Sequence, residues 1–160
     1  MILAIDSSAG TAVAVTTDSG EARSLVDTTD RRSHAEVIGP LIRQALSEAG
    51  CEAGDIEAVV MGVGPGPFTG LRVGMAAAQA FAWGQDVPLW PVCSHDAAAV
   101  DQSGDILVVS DARRGEWACT RYRTEGPNTL ALALSPSFLM PRAQLSEDEQ
   151  VFEGAEVHRL

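Results

Sequence analysis

The chain has 160 residues, 46% of them hydrophobic and 21% charged, which is the composition of one ordinary globular domain or two small ones sharing a core. Its formal net charge is −11, from 22 acids against 11 arginines and no lysine, so a phosphate backbone repels it and direct nucleic-acid binding by the chain alone is disfavoured. No apolar run reaches the roughly 20 residues that span a bilayer, and Cys51, Cys93 and Cys119 are too widely spaced for a disulfide framework or a zinc site, so a cytoplasmic protein with reduced cysteines is expected.

Met1 to Ile5 is a short apolar strand, without the basic start of a signal peptide, and it ends at Asp6-Ser7-Ser8-Ala9-Gly10. A second strand is expected over 11–17, a hairpin turn at Asp18-Ser19-Gly20, and a more polar edge strand over 21–28. Ser33 and Glu36 have capping-box spacing. The helix they open carries Val37, Leu41 and Ala45 in one row and Ile38, Ile42 and Leu46 in the next, includes Pro40, and ends at Gly50.

The segment 58–74 is the most distinctive in the chain. The β-branched run 58–63 suits a strand buried on both faces. Gly64-Pro65-Gly66-Pro67 follows, a loop whose prolines stiffen it and whose glycines permit close approach. Thr69 is positioned to cap a helix over 70–83. Strand-loop-helix junctions are where open α/β sheets take ligands or partners, though a tight βα turn with no ligand has the same pattern. Two nucleotide motifs are excluded. A P-loop needs a lysine where Leu71-Arg72 stand, and the dinucleotide fingerprint fails at Pro67. Gly70, Gly74 and Ala78 form a small-residue ridge that admits another helix, with Met75 and Gln79 beside it.

A short strand over 89–92 and a helix capped by Ser94 to about residue 100 precede the polar break 101–104, which divides the chain into subdomains 1–103 and 104–160. The segment from Ile106 through Asp111, Arg113, Arg114 and Gly115 to Thr120 repeats the opening segment: apolar strand, Asp, Gly four residues on, second strand. Beyond it lie a loop at 125–128, a candidate strand over 130–134, a short acidic helix within 141–150 and a last short strand over 151–153.

The opening Ile2-Leu3-Ala4-Ile5-Asp6-Ser7-Ser8, the loop from Gly62 through Pro65, Phe68 and Arg72 to Gly74, and the turn Asp111-Ala112-Arg113-Arg114-Gly115-Glu116 together resemble the TsaB family, also called YeaZ. The resemblance covers residues 1 to about 123 well and the rest loosely. It implies an α/β fold of the actin-like (ASKHA, ribonuclease-H-like) kind with two related halves, the C-terminal one shortened. The role it implies is a non-catalytic subunit in making N6-threonylcarbamoyladenosine at position 37 of tRNA. That subunit pairs with a TsaD-like catalytic subunit, is joined by a TsaE-like ATPase, forms a homodimer through two N-terminal helices when alone, and meets tRNA only through the complex, with no cofactor of its own.

On that reading His34, Val37, Ile38, Leu41, Gly70, Arg72, Gly74, Met75, Ala78 and Gln79 are the expected partner surface, with the Gly70–Ala78 ridge facing outward. Asp6, Gly10, Gly64, Gly66, Asp111 and Arg113 are the candidates for a degenerate nucleotide site, the alternative being that each Asp only caps its own turn. The catalytic relative carries two metal-binding histidines at i, i+4, whereas His34 is followed by Ile38, so no metal site is expected. A small actin-like phosphotransferase or a protease is the competing class, although no Ser-His-Asp spacing is recognisable, and a bare dimerisation module is a third.

Overall fold

The computed structural model describes residues 1–28, 34–100, 102–126, 129–145 and 151–153. Two mixed sheets carry the fold. In the first, β1 (Ile2–Asp6), β2 (Thr11–Thr16) and β3 (Ala22–Thr28) form an antiparallel meander, and β4 (Ala58–Gly62) and β5 (Leu89–Val92) add in parallel on the other side of β1, giving the order β3-β2-β1-β4-β5. The parallel strands require crossovers, supplied by helices α1 (His34–Ala49) and α2 (Phe68–Gln85).

Both helices lie on one face of this sheet. Leu3, Ile5, Val13, Val15, Val26 and Val59 from the strands meet Ile38, Leu41, Ala45 and Leu46 of α1 and Ala78 and Ala82 of α2. The period-2 alternation of the strands explains the other face. There Leu25, Ala14, Ala4, Val60 and Trp90 stand in one row across the five strands, with Leu25 and Trp90 exposed at its margins.

A short helix α3 (Ser94–Ala99) leads to the second sheet. Its centre is the long hairpin of β6 (Ser103–Arg113) and β7 (Glu116–Glu125), turned at Arg114 (φ 52°) and Gly115 (φ 80°). Both turn residues take left-handed angles, as a two-residue hairpin loop demands. β8 (Leu132–Ala133) and β9 (Phe138–Pro141) pair with β7, and β10 (Val151–Glu153) lies parallel to β6. β6 therefore has an antiparallel neighbour and a parallel one, as β1 does.

Several local expectations are corrected. α2 starts at Phe68 with Pro67 at its N-cap, so Thr69 lies inside the helix and caps nothing. Ser94 is the first residue of α3, not its cap, because its hydroxyl is engaged by Asp6. Residues 103 and 104, the end of the expected polar break 101–104, are strand, and the next residue, Asp105, pairs across the ladder with Arg123, which offers it two hydrogen bonds of 2.7 and 2.8 Å. β9 was not legible, and of the acidic helix within 141–150 the described part is one 3-10 turn, Arg142–Gln144. Ser33 of the capping box, Asp101, and 146–150 lie outside the described residues.

Candidate functional site

The Gly/Pro loop runs from β4 to α2 and meets the turn between β1 and β2. Gly64 has φ +86°, a left-handed angle, and its amide donates to Ser94 Oγ while its carbonyl accepts from the Ser94 amide. Gly66 lies against the backbone of Ser8, where an added Cβ would come within 2.6 Å of the Ser8 carbonyl oxygen. The loop is thus closed against the first turn by direct backbone contact.

Asp6 stands at the centre of this junction and is buried. One carboxylate oxygen accepts from the Ser8 amide at 2.6 Å and the Ser8 hydroxyl at 2.5 Å, and the other accepts from Ser94 Oγ at 2.5 Å. Both oxygens therefore serve the fold: Asp6 closes its own turn and, through Ser94, holds the glycine loop. Gly10 is buried in the same turn. Asp111, at the corresponding strand end of the second sheet, is partly exposed and accepts from Arg142 at 2.6 Å. Of Arg113 only the backbone is described.

The small-residue ridge is placed opposite to expectation. Gly74 faces Ser7, whose hydroxyl donates to the Gly70 carbonyl (2.9 Å) and accepts from the Gly74 amide (3.2 Å). Gly70 faces the His34 ring, and Ala78 is fully buried. Ile38 and Leu41 belong to the core, and His34 is buried with Nδ1 at 2.7 Å from Thr11 Oγ1. The ridge allows close approach, as its sequence requires, but the neighbours are β1 and α1 of the same chain, so it does not face a partner. Of the expected surface Arg72 is exposed, and Val37, Met75 and Gln79 are half-buried.

Apart from Arg72, what α2 turns outward is not among the residues expected at a partner surface. Phe68 and Trp83 are 67% and 80% exposed, and Ala76 and Ala80 are exposed between them. Phe68, Arg72, Ala76 and Ala80 recur every fourth residue, on the side away from Gly70, Gly74 and Ala78. The one charge in α2, Arg72, is stacked over the Phe68 ring at 3.6 Å. The signal was available: α2 carries one charge in 18 residues, and its apolar side chains are not confined to one stripe.

A second polar junction ties α3 to the second sheet. His95 is 1% exposed, with Nδ1 at 2.8 Å from Thr120 Oγ1 and Nε2 at 2.9 Å from Ser110 Oγ. Burial lowers its pKa to about 4, against smaller raising effects of Asp96 and Asp6. Nearby, Tyr122 donates to Asp96 at 2.5 Å, and burial followed by that bond pushes its phenol upward. His95 stays neutral in the folded chain while the unfolded chain protonates it below about pH 6.5. The stability this residue contributes is thus whole above the unfolded pKa and lost as pH falls toward 4. The loss expected is about 3 kcal/mol when both states are compared at the low end of that window. Urea unfolding between pH 7 and pH 4 checks it: His95→Gln, which keeps both hydrogen-bond partners in reach, should flatten that part of the curve relative to the parent.

Among the described residues no group of three or more His, Cys, Asp or Glu is placed to hold a metal ion, and no helix is long and apolar enough to cross a membrane.

The family model described as TsaD: tRNA N6-adenosine threonylcarbamoyltransferase matches residues 26–154. An uncharacterized protein of Mycobacterium tuberculosis is 49% identical over 110 residues, 66% of this chain and 52% of that protein. The tRNA threonylcarbamoyladenosine biosynthesis protein TsaB of Haemophilus influenzae is 35% identical over 91 residues, 54% of this chain and 39% of that protein. The structure of YeaZ from Pseudomonas aeruginosa superposes with a TM-score of 0.78 at 24% identity, covering 95% of this chain and 74% of that one, and so shares the fold. The chain spans about half the length of the first mycobacterial relatives it matches.

Proposed function

The chain belongs to the TsaD family, in its TsaB (YeaZ) branch, and from that premise we propose that it acts as a non-catalytic scaffold subunit in the biosynthesis of tRNA N6-threonylcarbamoyladenosine. Its partner is a TsaD-like catalytic subunit, a TsaE-like ATPase joins the pair, tRNA is met only through the complex, and the chain alone is a homodimer in the cytoplasm. The two sheets are related halves of an actin-like fold, divided as 1–103 and 104–160.

The observation that carries this reading is the outward side of α2. Two exposed aromatic rings flank two exposed alanines, a surface that admits a second helix closely between anchoring side chains. Val37, Arg72, Met75 and Gln79 border it. A two-fold axis across α2 brings the same face of two copies together, and a partner of similar fold can take one copy's place. The competing phosphotransferase class is disfavoured by Asp6, whose carboxylate oxygens are both committed to Ser8 and Ser94.

The test is Ala76→Arg or Ala80→Arg. Both positions are exposed, so stability should change by no more than about 0.5 kcal/mol. Homodimerisation on size-exclusion chromatography and co-purification with a TsaD-like protein should both be lost. Retention of both contacts by the folded variants would refute the scaffold surface.

A further inference from the structure

The two sheets are cored separately. Among the described residues the buried apolar cluster of the first sheet contains nothing beyond Ala82, and the buried clusters of the second contain nothing before Ala99. The start of α2 and the β6–β7 hairpin stand apart across open space, so the sheets do not close on each other there. α3 joins them, and its hold is polar. Ser94 is tied to the first sheet: its hydroxyl donates to Asp6 and accepts from the Gly64 amide, and its own amide donates to the Gly64 carbonyl. His95, the next residue, is tied to the second, with one ring nitrogen 2.8 Å from Thr120 Oγ1 on β7 and the other 2.9 Å from Ser110 Oγ on β6. Asp96 accepts from Tyr122, also on β7. Three consecutive side chains thus pin one six-residue helix to both sheets.

Ser94, His95, Ser110, Thr120 and Tyr122 are all buried, so water does not compete for these bonds. Apolar contacts tolerate sliding, whereas hydrogen bonds have set lengths and directions, and a joint made of them keeps one geometry while they last. A joint with little shared apolar core also opens readily once they are lost. The His95 ring suits this place because both of its nitrogens are used and it reaches two strands at once from one helical position. We propose that α3 is a clasp that fixes the angle between the two sheets, that His95 is its pin on the second sheet, and that without the pin the sheets turn about α3 as rigid bodies. This does not rest on the scaffold reading, which concerns the outward side of α2.

The experiment measures residual dipolar couplings of backbone amides in the 160-residue chain, fitted separately for β1 to β4 and for β6 with β7. One alignment tensor should fit both sheets of the parent. His95→Leu fills the space of the ring and makes neither bond, while Thr120 keeps Ser137 as a partner. In this variant each sheet should still fit its own structure, but the two alignment magnitudes should differ by about twofold, as hinge motion averages one more than the other. His95→Gln, which keeps both hydroxyls in reach, should return the chain to a single tensor, a difference from leucine that a space-filling role would not produce. Tyr122→Phe removes only the Asp96 bond and should give a smaller difference of the same kind. One shared tensor in folded His95→Leu, one shared tensor in Tyr122→Phe should His95→Leu not fold, or two tensors already in the parent would overturn the proposal.

Discussion

Gly74→Arg is expected to unfold the chain, not merely to separate two copies of it. An atom added at the Gly74 Cβ position would sit 2.2 Å from Ser7 Oγ and 2.9 Å from Ser7 Cβ, and Ser7 is fixed at the end of β1. The Ser7 hydroxyl is held between the Gly70 carbonyl and the Gly74 amide, so any side chain at 74 removes both bonds and pushes α2 off the sheet. Overpacking at one site costs about 1–3 kcal/mol, and a stranded buried hydroxyl adds about 1–3 more, with the arginine charge still to be accommodated. A loss of about 4 kcal/mol or more is the expectation, which most small domains do not survive. Gly74→Ala should already cost about 2 kcal/mol in urea unfolding. If Gly74→Arg remained folded with an unchanged midpoint, the ridge would be outside the core and the placement of α2 described above would be wrong. Beside Ala80→Arg, one helical turn and a half away on the opposite side, the comparison separates a fold residue from a surface residue on one helix.

Asp6→Ala should lose about 3–5 kcal/mol, the cost of removing one member of a buried charged hydrogen-bond cluster. Three donors lose their acceptor at once: the Ser8 amide, the Ser8 hydroxyl and the Ser94 hydroxyl. Because Ser94 in turn accepts from the Gly64 amide, the damage should spread to the glycine loop. Asp6→Asn keeps an acceptor for the Ser8 donors and should cost less than half as much. An aspartate kept for magnesium or phosphate would behave differently, with stability nearly unaltered in both variants. Equal stability of Asp6→Ala and the parent in thermal or urea unfolding would return this residue to the list of candidate ligand groups.

Much of the local architecture could be read from residue order. Strands β1 to β5 follow from short apolar runs with turn residues between them, and α1 from two adjacent apolar rows at helical spacing. The repeat of strand, Asp, turn and strand at Ile106 pointed to β6 and β7, and these do form a hairpin beginning a second sheet. The failures have common causes. β9 is four residues long, contains Pro141, and exists because it lies along Glu116 to Cys119 of β7, a pairing no local pattern announces. Residues 103–105 are polar yet extended because Arg123 across the ladder satisfies Asp105.

Residue order by itself determined that α2 has a side without bulk, since Gly70, Gly74 and Ala78 align whatever surrounds them. It determined equally that Asp6 ends a strand beside a turn. Tertiary structure alone decided which neighbour occupies the small side. A ridge of glycines permits close approach without specifying whether the approaching surface is Ser7 and His34 of the same chain or a helix of another. The same holds for Asp6: a carboxylate at a strand end is a metal ligand when open to a cleft and a turn lock when enclosed. Only the packing of α3, which brings Ser94 across 88 positions of sequence, enclosed it.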